Sequence, residues 1–498
     1  SGAPRPRNDC WEGPPLVQNF PGLIRPGPDG RRPKPPQPAH RKRYVPPNAF
    51  IRRACRSLVP STLYSVLLAG SLSAQGPAPS QPETFQLPNG LDVVLAPDHA
   101  TQVIAVEVWY DAGSRSEPPG QAGVSRLFEQ LLFAGSANVG RGEHARLVES
   151  AGGRVRFELD EEAVRVGETL PSNYLGLGLW LEAERMGSLR INDSTVADAR
   201  LASLDALGQS LSSDPYTAAI AEGTLALYDS AACPGYAHPA AGRVTSLAQL
   251  TTGQVLAFHG LHFGPNHARL VITGDFVADS ARRLVRQQFG DIPRGPDAST
   301  TVCGGEPPAS VDSRTVTTRR VSRHGVGIFF RVPGHDHHDH AALELAGILI
   351  GQGPGSRLAT EVRGSGAAVA TQGGLLGDRR GPELFGLFAV AAPGVTADSL
   401  AARLAAVARW TGSGTLTDAD LRRARNIYRA AMITDRERPE DWAHQLEHAA
   451  LFHGGVNDVD RDLERVQAVT LADLQRVAGR WLDPGRRLQL VVAPESAP

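Results

Sequence analysis

Lysine is nearly missing from this 498-residue sequence. Only Lys34 and Lys42 occur, both near the N-terminus, and arginine carries the basic charge elsewhere. Cysteine is scarce too: there are four, and no two have the spacing of a metal-binding pair, which excludes a cysteine-built zinc site. Apart from a short leader segment, no apolar run approaches the length needed to cross a bilayer, so no membrane span is expected once the leader is removed. Positive charge is short in the body of the chain. Residues 1–56 hold 12 of the 51 Lys+Arg and 3 of the 52 Asp+Glu, leaving 39 basic and 49 acidic residues for the rest. A body with that balance argues against a nucleic-acid partner, whose phosphates need basic contacts.

The first 50 residues are rich in Pro and Arg and lack apolar periodicity, so they are expected to be disordered. Residues 51–74 have the order of a secretory signal peptide. Arg52, Arg53 and Arg56 come first, an apolar stretch Leu58–Ala69 follows, and small residues end at Ala74. A secreted or periplasmic location, in a bacterial envelope, is the expectation. Cys10 and Cys55 would leave with the leader. Cys233 and Cys303 remain, and an oxidising compartment would allow them to join, although sequence does not say whether they are close enough.

From there the sequence alternates strand and helix patterns. Strands are expected at Leu91–Leu95, Val103–Tyr110 and Ala268–Thr273, and helices at Gly123–Phe133 and Ala281–Phe289. Residues 291–318 are rich in Pro, Gly, Ser and Thr and read as a linker. The pattern then restarts, with strands at Gly325–Val332 and Leu384–Ala391 and helices at Ala341–Ile350, 398–411, 417–435 and 440–452. An internal duplication shows at an offset of 219 residues: Thr251, Pro265 and Val271-Ile272 find counterparts in Thr470, Pro484 and Leu490-Val491. Two copies of one α+β domain, at 83–290 and 319–498, are the simplest reading. Each would be a mixed or antiparallel sheet with helices on one face.

Residues 123–136, GVSRLFEQLLFAGS, look like a zinc-binding helix, and further segments keep it company. They include Gly152-Gly153, Asp214-Pro215-Tyr216, His238-Pro239, Gly274-Asp275, Phe289–Pro293 and Ser356-Arg357-Leu358. In order and spacing, over roughly 83–498, the chain resembles the insulinase / mitochondrial processing peptidase (pitrilysin-like) family of zinc metallopeptidases. The resemblance implies two homologous domains forming a half-clamshell. Active members carry H-x-x-E-H on the first helix: two imidazoles on one helical face grip Zn²⁺ and the Glu acts as general base. Here the matching positions are Arg126, Glu129 and Gln130, so the base position is kept and both imidazoles are gone. A guanidinium repels a dication, and an amide oxygen is a weak ligand. The family's third ligand, a Glu, falls on Ala206, beside Asp205. The cleft segment Asn-Ala-x-Thr of active members is replaced by Arg156-Phe157-Glu158-Leu159. In the second domain the substrate-holding Arg corresponds to Arg363, while its Tyr partner falls on Val369 or Ala370. The resemblance thus implies a noncatalytic subunit, needing no cofactor of its own. It would bind peptide substrates, by main-chain pairing along an edge strand, and pair with a zinc-bearing family partner. The bland reading of Glu129 is an ion pair with Arg126 on a solvated face.

Two other clusters compete. A literal H-x-x-E-H stands at His444, Glu447 and His448, with Glu464 or His453 as possible further ligands. Ordinary helix-surface residues are favoured there over a zinc site with Glu447 as base. The tract His335–His340 is expected to be a solvated loop with an Asp N-cap. His259, His262 and His267 read as structural. The rival functions are an active zinc-dependent endopeptidase and a standalone envelope binding or scaffold protein.

Overall fold

A computed structural model describes residues 81–298, 303, 313–318 and 320–495. These all lie in one compact unit, Ala74–Pro498. The expected disordered leader (1–50), the signal peptide (51–74) and much of the linker fall outside the described residues.

The architecture is α+β with two sheets. The first is built from β1 (Glu83–Gln86), β2 (Asp92–Pro97), β3 (Val103–Tyr110), β4 (Arg154–Leu159), β5 (Val164–Pro171) and β6 (Ala268–Gly274), in the order β1-β2-β6-β3-β5-β4. The second contains β7 (Arg314–Thr318), β8 (Gly325–Val332), β9 (Ala368–Leu375), β10 (Glu383–Ala391) and β11 (Leu488–Pro494), in the order β7-β11-β8-β10-β9. The duplication is visible in the topology. In each sheet one parallel pair, β2 with β6 and β7 with β11, continues into an antiparallel run. Thr251 and Thr470 cap the helices preceding β6 and β11, and each forms a reciprocal capping box with the residue three positions on.

The helices of the first half are α1 (Phe128–Leu131), α2 (Glu143–Ser150), α3 (Leu175–Ser188), α4 (Asp193–Ser213), α5 (Pro215–Gly223), α6 (Val244–Gln249), α7 (Thr252–His262) and α8 (Ala278–Phe289). Those of the second are α9 (His340–Gly351), α10 (Ala397–Trp410), α11 (Asp418–Asp435), α12 (Pro439–His453), α13 (Arg461–Ala468) and α14 (Leu471–Trp481). Each sheet carries helices of its own half on one face, around a core of its own.

The other face of each sheet is covered by the opposite half. Helix α5 and the segment after it bring Ala219, Leu227, Tyr228 and Tyr236 onto Phe329, Leu384, Leu488, Leu490 and Val492 of the second sheet. Reciprocally, α12 brings Ala443 and Leu446 onto Val94, Ala96 and Val271 of the first. Both crossing helices open with a proline, Pro215 or Pro439, where the missing N–H costs nothing. Burial from both sides explains why β8 is buried at every position and β3 at all but its first.

One expectation needs correction and one open question is answered. Strand β7 falls inside the stretch 291–318 read as linker. Its sequence, Arg-Thr-Val-Thr-Thr, is polar because it is a largely exposed edge strand, and composition alone does not separate that from a loop. Cys233 and Cys303, left open by sequence, are joined in a disulfide with Cα atoms 4.4 Å apart.

Candidate functional site

Val124, Leu127, Phe128, Leu131 and Leu132 are all buried, at the i, i+3, i+4, i+7 and i+8 positions of one helical stripe. That stripe turns Arg126, Glu129 and Gln130 together toward the less buried side. The helix expected over Gly123–Phe133 is shorter than its pattern: a 3₁₀ turn, Ser125–Leu127, runs into the single turn of α1. Its start is held by the buried carboxyl of Glu117, which accepts from the backbone N–H of Gly123 at 2.7 Å, from that of Ser125 at 3.0 Å, and from the Ser125 hydroxyl. Burial pushes Glu117 up to about 7. Gly123 has φ +100°, and a Cβ there would lie 2.7 Å from Leu247. Gly135, at φ +107°, ends the segment.

Arg126 Nε lies 3.2 Å from Glu129 Oε2, with the side chains only 20% and 15% exposed. The pairing expected of Glu129 is present, but the two side chains are largely enclosed instead of solvated. Helix α4, carrying Asp205 and Ala206, packs across α1. Asp205 is exposed and accepts from Gln209 Nε2 at 2.8 Å. The residues of this face do not fit a zinc ion. Glu129, at the position expected for the base, is held by a guanidinium, Gln130 offers an amide, and Ala206, at the position expected for the third ligand, has only a methyl group.

Beside this helix lies the edge strand β4. Arg156 on β4 donates to Glu158 at 2.6 Å and reaches Asp441 of α12 at 3.5 Å, while Arg154 pairs with Glu440. The segment is therefore charged and tied to the crossing helix. In the second half, Arg363 ends a π-helical turn, Leu358–Arg363, and is exposed, as is Val369 on the edge strand β9; Ala370 beside it is half-buried.

The literal H-x-x-E-H lies on α12, at the seam between the halves. Glu447 is fully buried and neither carboxyl oxygen finds a hydrogen-bond partner among the described residues. Burial raises its pKa well above the ordinary value, and so does the nearby Glu107. His444 is driven down to about 3 by burial, with Arg165 adding to the effect. These are seam residues and not a helix surface. His448 belongs to a different group, together with His335, His453 and Asp462, whose ligand atoms all lie within 4.8 Å of one another. His444 and Glu447 are in none of the possible metal-binding groups of the described residues, and Glu464 is not either.

The tract His335–His340 is accordingly not the solvated loop expected. His335, Asp339 and His340 are buried, and Asp339 accepts from Trp481 Nε1 at 2.9 Å and forms an ion pair with Arg476 at 2.8 Å. His259 and His262 pack among aromatic rings as expected, and burial lowers both to about 4. Sequence reasoning missed Asp378 and Asp462, which stand 43 and 127 positions from His335 and share no local motif with it. It also missed a buried set in the first half. There Arg185 donates to Glu182 at 2.7 Å and to His144 Nε2 at 2.9 Å, and Glu168 lies 3.4 Å from His144.

The loop carrying Asp378 also crosses the seam. Arg379 donates to Glu161 at 2.5 Å, and Arg380 to the buried Glu162 at 2.9 Å, which Arg115 also holds at 2.8 Å. Gly381 sits so close to Tyr236 that a Cβ would lie 2.4 Å from its ring.

Comparison with known proteins places these features. Residues 92–204 match the family model described as insulinase (peptidase family M16), and residues 249–428 match that of the peptidase M16 inactive domain. The chain is 24% identical over 444 residues to the zinc protease PqqE of Helicobacter pylori, covering 87% of this chain and 97% of that one. Its fold is similar to the crystal structure of a protease from Helicobacter pylori, with a TM-score of 0.77 and 22% identity over 84% of this chain and 100% of the other. It is likewise similar to a peptidase M16 inactive domain from Pseudomonas fluorescens, with a TM-score of 0.74 and 18% identity over 84% and 99% of the two chains. With the two-sheet fold, the Gly123–Leu131 segment and both family models in agreement, the chain belongs to the insulinase (peptidase M16) family.

Proposed function

We propose that this chain is a noncatalytic insulinase-family subunit that binds extended peptide and pairs with a zinc-bearing member of the same family. One observation carries the reading: on the face where active members hold zinc, Arg126 pairs with Glu129 at 3.2 Å, and Gln130 and Ala206 stand at the other ligand positions. The metal route to peptide hydrolysis uses a metal-activated water and a Lewis acid to polarise the carbonyl, and these side chains are not suited to hold the metal that would supply both. What remains is a framework suited to holding peptide. The edge strand β4 offers backbone N–H and C=O groups to an added strand, and Arg363 is exposed for a carboxylate or carbonyl of a bound chain. Export to the bacterial envelope is part of the proposal. The signal-like segment 51–74 supports it, and so does the Cys233–Cys303 disulfide, which an oxidising compartment would preserve.

The reading is tested by purifying the tagged chain from its own host and identifying what comes with it. A zinc-bearing family member at near one-to-one ratio is expected. Fluorescence anisotropy with a labelled unfolded peptide should show saturable binding that weakens when β4 is blocked by Phe157→Pro, which removes a strand hydrogen bond. A chain that purifies alone and binds no peptide would leave only the scaffold function.

A further inference from the structure

The group around His335 has the geometry of a metal site, far in sequence from the family's zinc helix. His335 lies just after β8, His448 and His453 on α12, and Asp462 on α13. Asp462 is the hub: Oδ1 is 3.1 Å from His335 Nε2, and Oδ2 is 2.9 Å from His453 Nε2 and 3.6 Å from His448 Nδ1. Zinc bound tetrahedrally at about 2.0–2.1 Å from N and O ligands sets its donors about 3.3 Å apart. The three separations from Asp462, taken from one or the other of its carboxylate oxygens, bracket that edge, and the four ligand atoms all lie within 4.8 Å of one another.

Two further observations point to an ion rather than a closed hydrogen-bond network. The His453 side chain is only 3% exposed, yet its Nε2 makes no hydrogen bond, although Asp462 is near: the direction is wrong for N–H donation. And the far nitrogens of two imidazoles are already engaged. Asp378 receives His335 Nδ1 on Oδ1 at 2.8 Å and His448 Nε2 on Oδ2 at 2.5 Å. A carboxylate gripping the outer N–H of a ligating histidine is how protein metal sites fix tautomer and ring direction. With Asp378 outside, His335 presents Nε2 and His448 presents Nδ1 toward Asp462. Phe452 packs against both rings in tilted contacts, with ring centroids 4.3 and 4.6 Å apart. Arg465 Nη1 lies 3.6 Å from Asp462 Oδ1, and its remaining contacts are the carbonyl oxygens of His335 and His337.

We propose that His335, His448, His453 and Asp462 bind one divalent cation of the zinc class, with Asp378 as the residue that orients two of the imidazoles. Three nitrogens and one carboxylate oxygen suit zinc better than calcium or magnesium, which prefer all-oxygen cages. Four protein ligands close the coordination shell, so the site is structural. It joins α12, which lies on the first sheet, to α13 and the entrance of α9 in the second half, and Asp378 belongs to the loop that clasps Glu161 and Glu162 across the seam.

The test uses the full chain, stripped with a chelator and then loaded with Zn²⁺ or Co²⁺ alone. Atomic emission should find one zinc per chain, and Co²⁺ should give the intense visible absorption of a tetrahedral site. Calorimetric titration with Zn²⁺ should show at least a 100-fold loss of affinity in His453→Ala and in Asp462→Asn. In Asp378→Asn a loss of 10–100-fold is expected. His444→Ala and Glu129→Gln should bind as the unaltered chain does. A cobalt spectrum depends on no variant, so it decides the matter even where a substitution unfolds the protein. Less than a tenth of an equivalent of zinc with no tetrahedral cobalt bands would overturn the proposal, as would full zinc uptake by both His453→Ala and Asp462→Asn.

Discussion

Glu107 sits on β3 with only 4% of its surface exposed, opposite Glu447 of the crossing helix. Burial pushes its carboxyl up to about 7, against the pull of Arg156 and Arg165. Between pH 4.5 and about 7 the folded chain therefore keeps a proton that the unfolded chain has released. Stability from this group is fully present below 4.5 and falls as pH rises toward 7. The change is on the order of 3 kcal/mol for one carboxyl moved that far. Glu117 and Glu162, also pushed to about 7 by burial, act in the same direction. Glu107→Gln has no proton to lose. Its unfolding free energy, followed by urea titration at several pH values, should fall less between 4.5 and 7, by up to about 3 kcal/mol. An unchanged slope would show that Glu107 is ionised in the folded chain. At this scale the sequence revealed Arg126, Glu129 and Gln130, because their spacing fixes them to one helical face whatever the tertiary structure. It could not reveal that His448 joins Asp462 and His335 while His444 and Glu447 face the other sheet. Those partners are brought together by the crossing of α12, for which no local pattern exists.

Elements were legible where a periodic pattern met a clear stop. β3 and β8 fall on Val103–Tyr110 and Gly325–Val332 as expected, and α11 and α12 differ by a residue or so at their ends. Pattern failed where a neighbour overrode it. Glu117 draws the N–H groups of Gly123 and Ser125 away from helix geometry, and the exposure of β7 left it no apolar signature. Helix α12 shows the opposite case: its period marked a helix without saying what it covers. Leu446 of α12 is completely buried against Val94, Ala96 and Val271 of the first sheet. Leu446→Ala should cost about 2–5 kcal/mol, because transfer and cavity terms add in a site that cannot collapse. Hydrogen exchange should show the loss as faster exchange in β2 and β6 as well as in α12. Acceleration confined to α12 would mean that the helix merely rests on the sheet.

At the scale of the whole molecule, each half completes the other. The repeat at an offset of 219 residues gave two similar sheets to sequence reasoning, but not the exchange of α5 and α12 between them. That exchange adds two smaller apolar clusters at the seam to the core of each half, and the Arg379–Glu161 and Arg380–Glu162 pairs also cross it. The Cys233–Cys303 disulfide fastens the segment after α5 to the connection between the sheets, closing a separation of 70 residues. Cys233→Ser should lower stability by about 2–4 kcal/mol, and reductant should weaken the unaltered chain to the same level while leaving the variant as it was.

The proposed reading, a peptidase framework without its chemistry, is tested most directly by mass spectrometry of unfolded peptides incubated with the zinc-loaded chain. Intact peptides after long incubation, with Glu129→Gln behaving identically, are the expected result. Fragments that a chelator suppresses and that vanish in Glu129→Gln would mean that Arg126 and Gln130 do not prevent catalysis, and the reading of this chain as a noncatalytic subunit would be wrong.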